Sequence, residues 1–87
     1  MPDKTMLILK IKPRELGEID KAMAAVKGIK SGQVMDVKKE PIGFGIEVIK
    51  AGILVDSKDE GAVDAVTNEI NGLAEIEESE IEGMTLL

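Results

Sequence analysis

The chemistry open to this chain is set first by side chains it lacks. Seventeen Asp and Glu and eleven Lys and Arg are present, with no histidine and no cysteine. The usual zinc ligands are therefore missing, as are the usual general base near neutral pH and any histidine-activated nucleophile. An enzyme here would have to rely on carboxylates, lysines and hydroxyls. No carboxylate sits in an apolar, pocket-forming segment that would tune it for acid–base work. The acidic loop from Asp56 to Gly61 invites a calcium reading, but an EF-hand needs oxygen ligands at its third position and a glutamate at its twelfth. Lys58 and Thr67 stand there. Ser57, followed three residues later by Glu60, instead predicts a capping box that opens a helix. Glu77, Glu78, Glu80 and Glu82 read as a solvated edge, since no preformed loop would gather them around a hard cation. Neither a metal nor any other cofactor is expected.

Gly43-Phe44-Gly45 superficially matches a dinucleotide fingerprint. The third glycine would fall at position 48, which is Val48, and the segment opens a strand where the fingerprint opens a helix. No Gly-Lys-Ser/Thr phosphate loop occurs, so direct nucleotide binding by either device is not expected. The segment Lys39 to Ile46 is nevertheless the unusual stretch of the chain. It places the single aromatic residue, Phe44, between glycines and three residues after Pro41. Glycines on both sides permit backbone shapes that other residues resist and leave the ring uncovered. Two readings follow from the residues alone: the ring closes one end of the core, or it is exposed as an anchor for a partner pocket.

The elements that would position this segment are legible from periodicity. Met6 to Lys12 alternates, with Leu7, Leu9 and Ile11 on one face, and predicts a strand stopped by Pro13. Leu16, Ile19, Met23 and Val26 form a stripe at helical spacing, with Gly28 as a stop, predicting a helix over 15–27. After the Ser31-Gly32 turn signal, Val34 to Lys39 predicts a short edge strand ended by Glu40-Pro41. Ile46 to Val55 is long and β-branched, as a central strand would be, with Ile49, Ala51, Ile53 and Val55 sharing a face. Ala62, Val63, Val66 and Ile70 predict a second helix, over 58–71, closed by Gly72. Ala74 to Ile81 predicts an acidic final strand. Its Ile76 and Ile81 differ in parity, which calls for a bulge or a short pairing.

Strand, helix, strand, strand, helix, strand with right-handed crossovers gives an α+β fold: a ferredoxin-like β-α-β-β-α-β unit. It has a four-stranded antiparallel sheet, two helices on one face, and the first and third strands in the middle. The 87 residues are read as one domain. No apolar run approaches the roughly 20 residues that cross a bilayer, and the apolar stretch from Met6 to Leu9 is too short for a signal peptide, so no membrane association is expected. The predicted compartment is the cytosol. A net charge of −6 and a lone aromatic argue against nucleic acid as a partner. The charge is uneven, +4 over residues 1–39 and −10 over residues 40–87, and the acidic half reads as a solvated edge.

Pro41-Ile42-Gly43-Phe44-Gly45-Ile46 closely resembles the signature of the elongation factor 1-beta family, the exchange factors of elongation factor 1-alpha. The resemblance extends along essentially the whole chain in the order of its elements, and the length matches the compact archaeal-type members. It implies the ferredoxin-like fold, a role in restoring the GTP form of the elongation factor, and a partner-contacting role for Phe44. Pro41, Ile42, Gly43 and Gly45 would shape the contact. Eukaryotic relatives continue the signature with two lysines, where this chain has Glu47 and Val48. They also carry a lysine near their end, whereas no lysine follows Lys58 here. The exchange-factor reading expects a monomer that contacts elongation factor 1-alpha. An alternative, a small-molecule sensing or oligomerising ferredoxin-like module, would be told apart by its size-exclusion mass.

Overall fold

A computed structural model describes residues 3–86, apart from the side chain of Leu16. The chain runs β1 (Lys4–Pro13), a single 3₁₀ turn (Leu16–Glu18), α1 (Ile19–Lys27), β2 (Gln33–Gly43), β3 (Ile46–Asp56), α2 (Ala62–Asn71) and β4 (Ile76–Leu86). The strands form one antiparallel sheet in the order β2-β3-β1-β4, so the two most apolar strands are central, as expected for a ferredoxin-like unit.

Alternation in β1 and β3 builds the core. Leu7 lies opposite Ile53, Leu9 opposite Ala51 and Ile11 opposite Ile49, and all six side chains are buried on the helix-covered face. Onto them pack Ile19, Ala22 and Val26 of α1 and Ala62, Val66 and Ile70 of α2. Each fully buried Leu, Ile or Val of this layer contributes about 1.5–3 kcal/mol relative to exposure. Met23 and Val63, also in the predicted stripes, sit at the margin of the core. Leu16 begins the first predicted stripe, but its side chain lies outside the described residues.

The parity conflict in β4 is resolved by the register shift between Lys12 and Pro13 of its partner β1; a second shift, between Ile8 and Leu9, lies beyond Ile81. One extra residue in β4, Glu77, brings Ile76 and Ile81 to the same core.

Two expectations are corrected. β2 does not stop at Lys39 but pairs on through Pro41 and Gly43. The bias that proline places on the residue before it favours extended backbone, which a strand already has, and an edge strand tolerates a missing N–H. The second helix starts at Ala62, with Gly61 at its N-cap and no side-chain cap, so Ser57 and Glu60 form no capping box. Residues 56–61 turn by aspartate instead: Lys58 N–H donates to Asp56 Oδ1 at 2.9 Å and Gly61 N–H to Asp59 Oδ1 at 3.0 Å. No helix of the described residues is long and apolar enough to cross a membrane.

Candidate functional site

β2 and β3 close into a hairpin whose turn is Phe44-Gly45. Gly43, Phe44 and Gly45 all have positive φ, at 107°, 55° and 75°. A two-residue hairpin loop with both central residues at positive φ matches the twist of the strands it joins. Such turns normally place asparagine, aspartate or glycine where Phe44 stands. For a bulky residue the left-handed region costs about 1–2 kcal/mol. Just before the turn, Pro41 pairs with Glu47 and Gly43 with Ile46, so Ile42 is an extra residue in the ladder.

The consequence is exposure. Phe44 is 103% exposed and Ile42 46% exposed, and a Cβ added at Gly43 or Gly45 would meet nothing within 4 Å. Of the two readings of the ring, core closure is set aside: the core is complete without it. The tip therefore brings together Ile42, Gly43, Phe44 and Gly45, with Pro41 in the stem below.

The stem is tied to the body. Lys39 Nζ lies 2.8 Å from Asp20 Oδ1 of α1, and the hydrogen bond and charge of Asp20 hold the Lys39 ammonium above its ordinary pKa. At the same end of the sheet, Arg14 donates from Nε to the Ala74 carbonyl at 3.0 Å and from Nη2 to the Ile76 carbonyl at 3.1 Å, locking the end of β1 to the start of β4. The exposed side chains of Met84 and Leu86 stand at the other end, where Leu86 pairs with Thr5 and Asp56 with Lys4. Among the described residues, no three acidic side chains converge on a point that could hold a metal ion.

Sequence reasoning found the tip but missed its left-handed phenylalanine and the tie between Lys39 and Asp20. Two β-rich runs separated by a glycine-flanked pair are the signal that would have predicted the hairpin.

The profile of the EF-1 guanine nucleotide exchange domain family matches residues 6–87. Elongation factor 1-beta of Methanocorpusculum labreanum is 34% identical over 85 residues, covering 97% of this chain and 96% of the relative. Elongation factor 1-beta of Methanosphaerula palustris is 35% identical over 81 residues, with coverage of 92% and 93%. Among solved structures, the C-terminal domain of the MgtC protein from Mycobacterium tuberculosis superimposes with a TM-score of 0.52 at 7% identity, covering 99% of this chain and 88% of that one, a likeness of fold alone. With the signature residues gathered on the hairpin and the match running nearly end to end, the chain belongs to the EF-1 guanine nucleotide exchange domain family, in its archaeal elongation factor 1-beta type.

Proposed function

We propose that the chain promotes exchange of GDP for GTP on elongation factor 1-alpha by binding that GTPase through the β2–β3 hairpin, with Phe44 as the anchor. Ile42 flanks the ring, and Pro41, Gly43 and Gly45 fix the shape of the tip. The observation that carries the reading is the lone aromatic of the chain, fully exposed on a turn whose conformation it resists. Residues held in sparsely populated backbone regions gather where a site requires them, and a rigid aromatic held clear of the body is a natural hot spot. The protein acts as a single cytosolic domain and a monomer, and contacts neither the nucleotide nor nucleic acid directly.

No bond is made or broken in this reading. The factor binds the nucleotide-free GTPase more tightly than the nucleotide-bound form, and by linkage that difference lowers nucleotide affinity. A 10³-fold weakening needs about 4 kcal/mol of differential binding, which a few anchored side chains supply. A sensing or oligomerising module is not favoured for a chain of this family.

The test is release of a fluorescent GDP analogue from a matched elongation factor 1-alpha with catalytic amounts of the protein. Wild type accelerates release, and Phe44→Ala cuts the acceleration at least tenfold, about 1.4 kcal/mol of lost differential binding. Unfolding stability changes little because the ring touches no core. A Phe44→Ala variant that exchanges at the wild-type rate removes the anchor.

A further inference from the structure

The hairpin that carries Phe44 outruns the sheet that supports it. β1 stays paired with β3 only as far as Ile11 opposite Ile49. β2 and β3 pair on, through Glu40 opposite Val48 and Pro41 opposite Glu47 to Gly43 opposite Ile46. β2 is an edge strand, so the hairpin continues past Ile49 as a two-stranded arm, and none of residues 41–47 is buried. A two-stranded ribbon is marginally stable alone and twists more strongly than a wider sheet, so the direction of the arm is set at its root. From Lys39 to Phe44 the arm reaches about 16 Å at 3.3 Å per residue, and a tilt of about 10° at the root moves the ring by about 3 Å.

The root is held from both faces. Lys39 stands opposite Ile49, on the last three-stranded rung, and Glu40 follows it. Successive residues of a strand point to opposite faces. On the helix-covered face, Lys39 Nζ lies 2.8 Å from Asp20 Oδ1 of α1. On the helix-free face, Glu40 Oε2 lies 3.2 Å from Lys50 Nζ, and Lys50 Nζ lies 2.5 Å from Glu82 Oε1 of β4. Glu82 reaches Lys50 from the second irregularity of β4. Ile8 pairs with Gly83 and Leu9 with Ile81, which leaves Glu82 as the extra residue, and bulges re-aim side chains in this way. Among the described residues, the ion pairs that join the hairpin to the rest of the molecule are those of Lys39 with Asp20 and of Lys50 with Glu82. Exposed ion pairs contribute little to stability. Set on opposite faces of one root, they oppose bending of the arm in either direction.

We propose that Lys39 and Glu40 are positioning residues for exchange: through Asp20 on one face and Lys50 with Glu82 on the other, they fix the angle at which the arm presents Phe44 to the elongation GTPase. The role rests on the exchange-factor reading, in which the ring is the anchor, and gives neither side chain a contact with the partner. Binding groups act when they are held within about 0.5 Å and 10–20° of the productive geometry, so a tilt that leaves the fold intact still costs exchange.

The test is Lys39→Gln/Glu40→Gln, in two measurements on the full chain. Residual dipolar couplings of the backbone amides in the free protein report the direction of residues 41–47 against the sheet and need no partner. Wild-type couplings should fit one rigid alignment. In the variant those of residues 41–47 should depart from it, while the sheet and the unfolding midpoint stay close to wild type. In exchange on elongation factor 1-alpha the variant should lose about three- to tenfold in kcat/KM, carried by KM, because an arm correctly directed for part of the time lowers apparent affinity by that fraction. Asp20→Asn should match Lys39→Gln, the two combined should cost no more than either alone, and Lys39→Arg should act as wild type. Additive losses from Asp20→Asn and Lys39→Gln would mean that the two side chains meet the partner separately, and overturn the positioning role. So would unchanged couplings, or an arm that loosens without altering exchange while Phe44→Ala remains defective. If Phe44→Ala also exchanges at the wild-type rate, the anchor reading falls and takes the positioning role with it.

Discussion

Two connections bracket β2, and glycine has opposite work in them. At the far end of the strand, Gly43 and Gly45 flank Phe44 in open space and are needed for their positive φ. At the near end, Gly32 is packed where no side chain fits: a Cβ there would lie 2.6 Å from Ile53 Cγ2, 3.0 Å from Val66 Cγ2 and 3.2 Å from the Leu54 carbonyl oxygen. The loop leading to Gly32 is held by Glu69 of α2, whose carboxylate accepts hydrogen bonds from the Lys30 and Ser31 N–H groups and, at 2.5 Å, from the Ser31 hydroxyl. Ile29 in the same loop is buried. One connection is bound into the body and the other is relieved of all packing. A turn that contributes nothing to the core is free to present a costly conformation and a bare ring.

The sharpest way to break this comparison is to add one methyl group at the packed end. Gly→Ala at a compatible site stabilises by about 0.4–1 kcal/mol through the unfolded chain. At Gly32 the clash with buried Ile53 and Val66 should reverse the sign and destabilise by about 1–3 kcal/mol, read by denaturant unfolding. That is a large share of the stability of so small a domain. The folded fraction of Gly32→Ala should still exchange nucleotide at the wild-type rate. A stabilised Gly32→Ala would show that the near loop is as open as the tip.

A smaller effect of opposite sign is expected at the tip. Phe44→Asn restores the asparagine-glycine pair that two-residue turns of this type prefer. It should raise unfolding stability by up to about 1 kcal/mol, by removing the left-handed penalty, while abolishing the anchor and its exchange activity. Stability gained together with activity lost would separate conformational strain from packing. A loss of stability would mean that the ring supports the fold after all.

The contrast also explains what was legible in the sequence. β1, β3 and both helical stripes were legible because burial imposes periods of 2 and 3.6 on neighbouring residues. The acidic strand announced its bulge at Glu77 through the parity of Ile76 and Ile81, while the second irregularity, at Glu82, lies past both and left no such mark. The length of β2 was not legible, because Pro41 marks the end of a strand in a sheet interior and is tolerated at an edge, and edge or interior is a property of the whole sheet. The capping box failed for a local reason: the Ser57 N–H that Glu60 would accept donates to the Asp3 carbonyl at 3.0 Å, and Asp56 and Asp59 fold the neighbouring Lys58 and Gly61 N–H groups into turns. Gly32 and Glu69 were passed over as a turn signal and a solvated charge. Their partners lie 34 and 39 residues away respectively (Val66 for Gly32, Lys30 for Glu69), and pattern does not reach that far. Phe44 was found by composition and left open between core and surface, since only the turn geometry decides where its ring points.

The smallest expected effect is in pH dependence, where the two ends of β2 should answer to opposite limbs of the profile. The Ser31 hydroxyl, followed by the Ser31 and Lys30 N–H groups, holds the Glu69 carboxyl below its ordinary value of 4.5. A depressed folded pKa contributes stability that is complete above the ordinary glutamate range and is lost as pH falls through the depressed value. Lys39 at the hairpin stem has the reverse sign: Asp20 raises its pKa, so its contribution is present below the ordinary lysine value of 10.5 and is lost as pH rises through the raised one. Both groups are solvent-screened, so both contributions are modest. Glu69→Gln should lower the denaturation midpoint near neutral pH, and its deficit against wild type should shrink on acidification, because protonation of Glu69 removes the same charge. Amide exchange at Lys30 and Ser31 should quicken in that variant while exchange at residues 39–47 stays as in wild type. Lys39→Gln should leave the acid limb alone and flatten the alkaline one. A Glu69→Gln variant with the wild-type acid limb would mean that the near loop is held by packing at Ile29 and Gly32 alone, and the comparison would then rest on shape, with no electrostatic part.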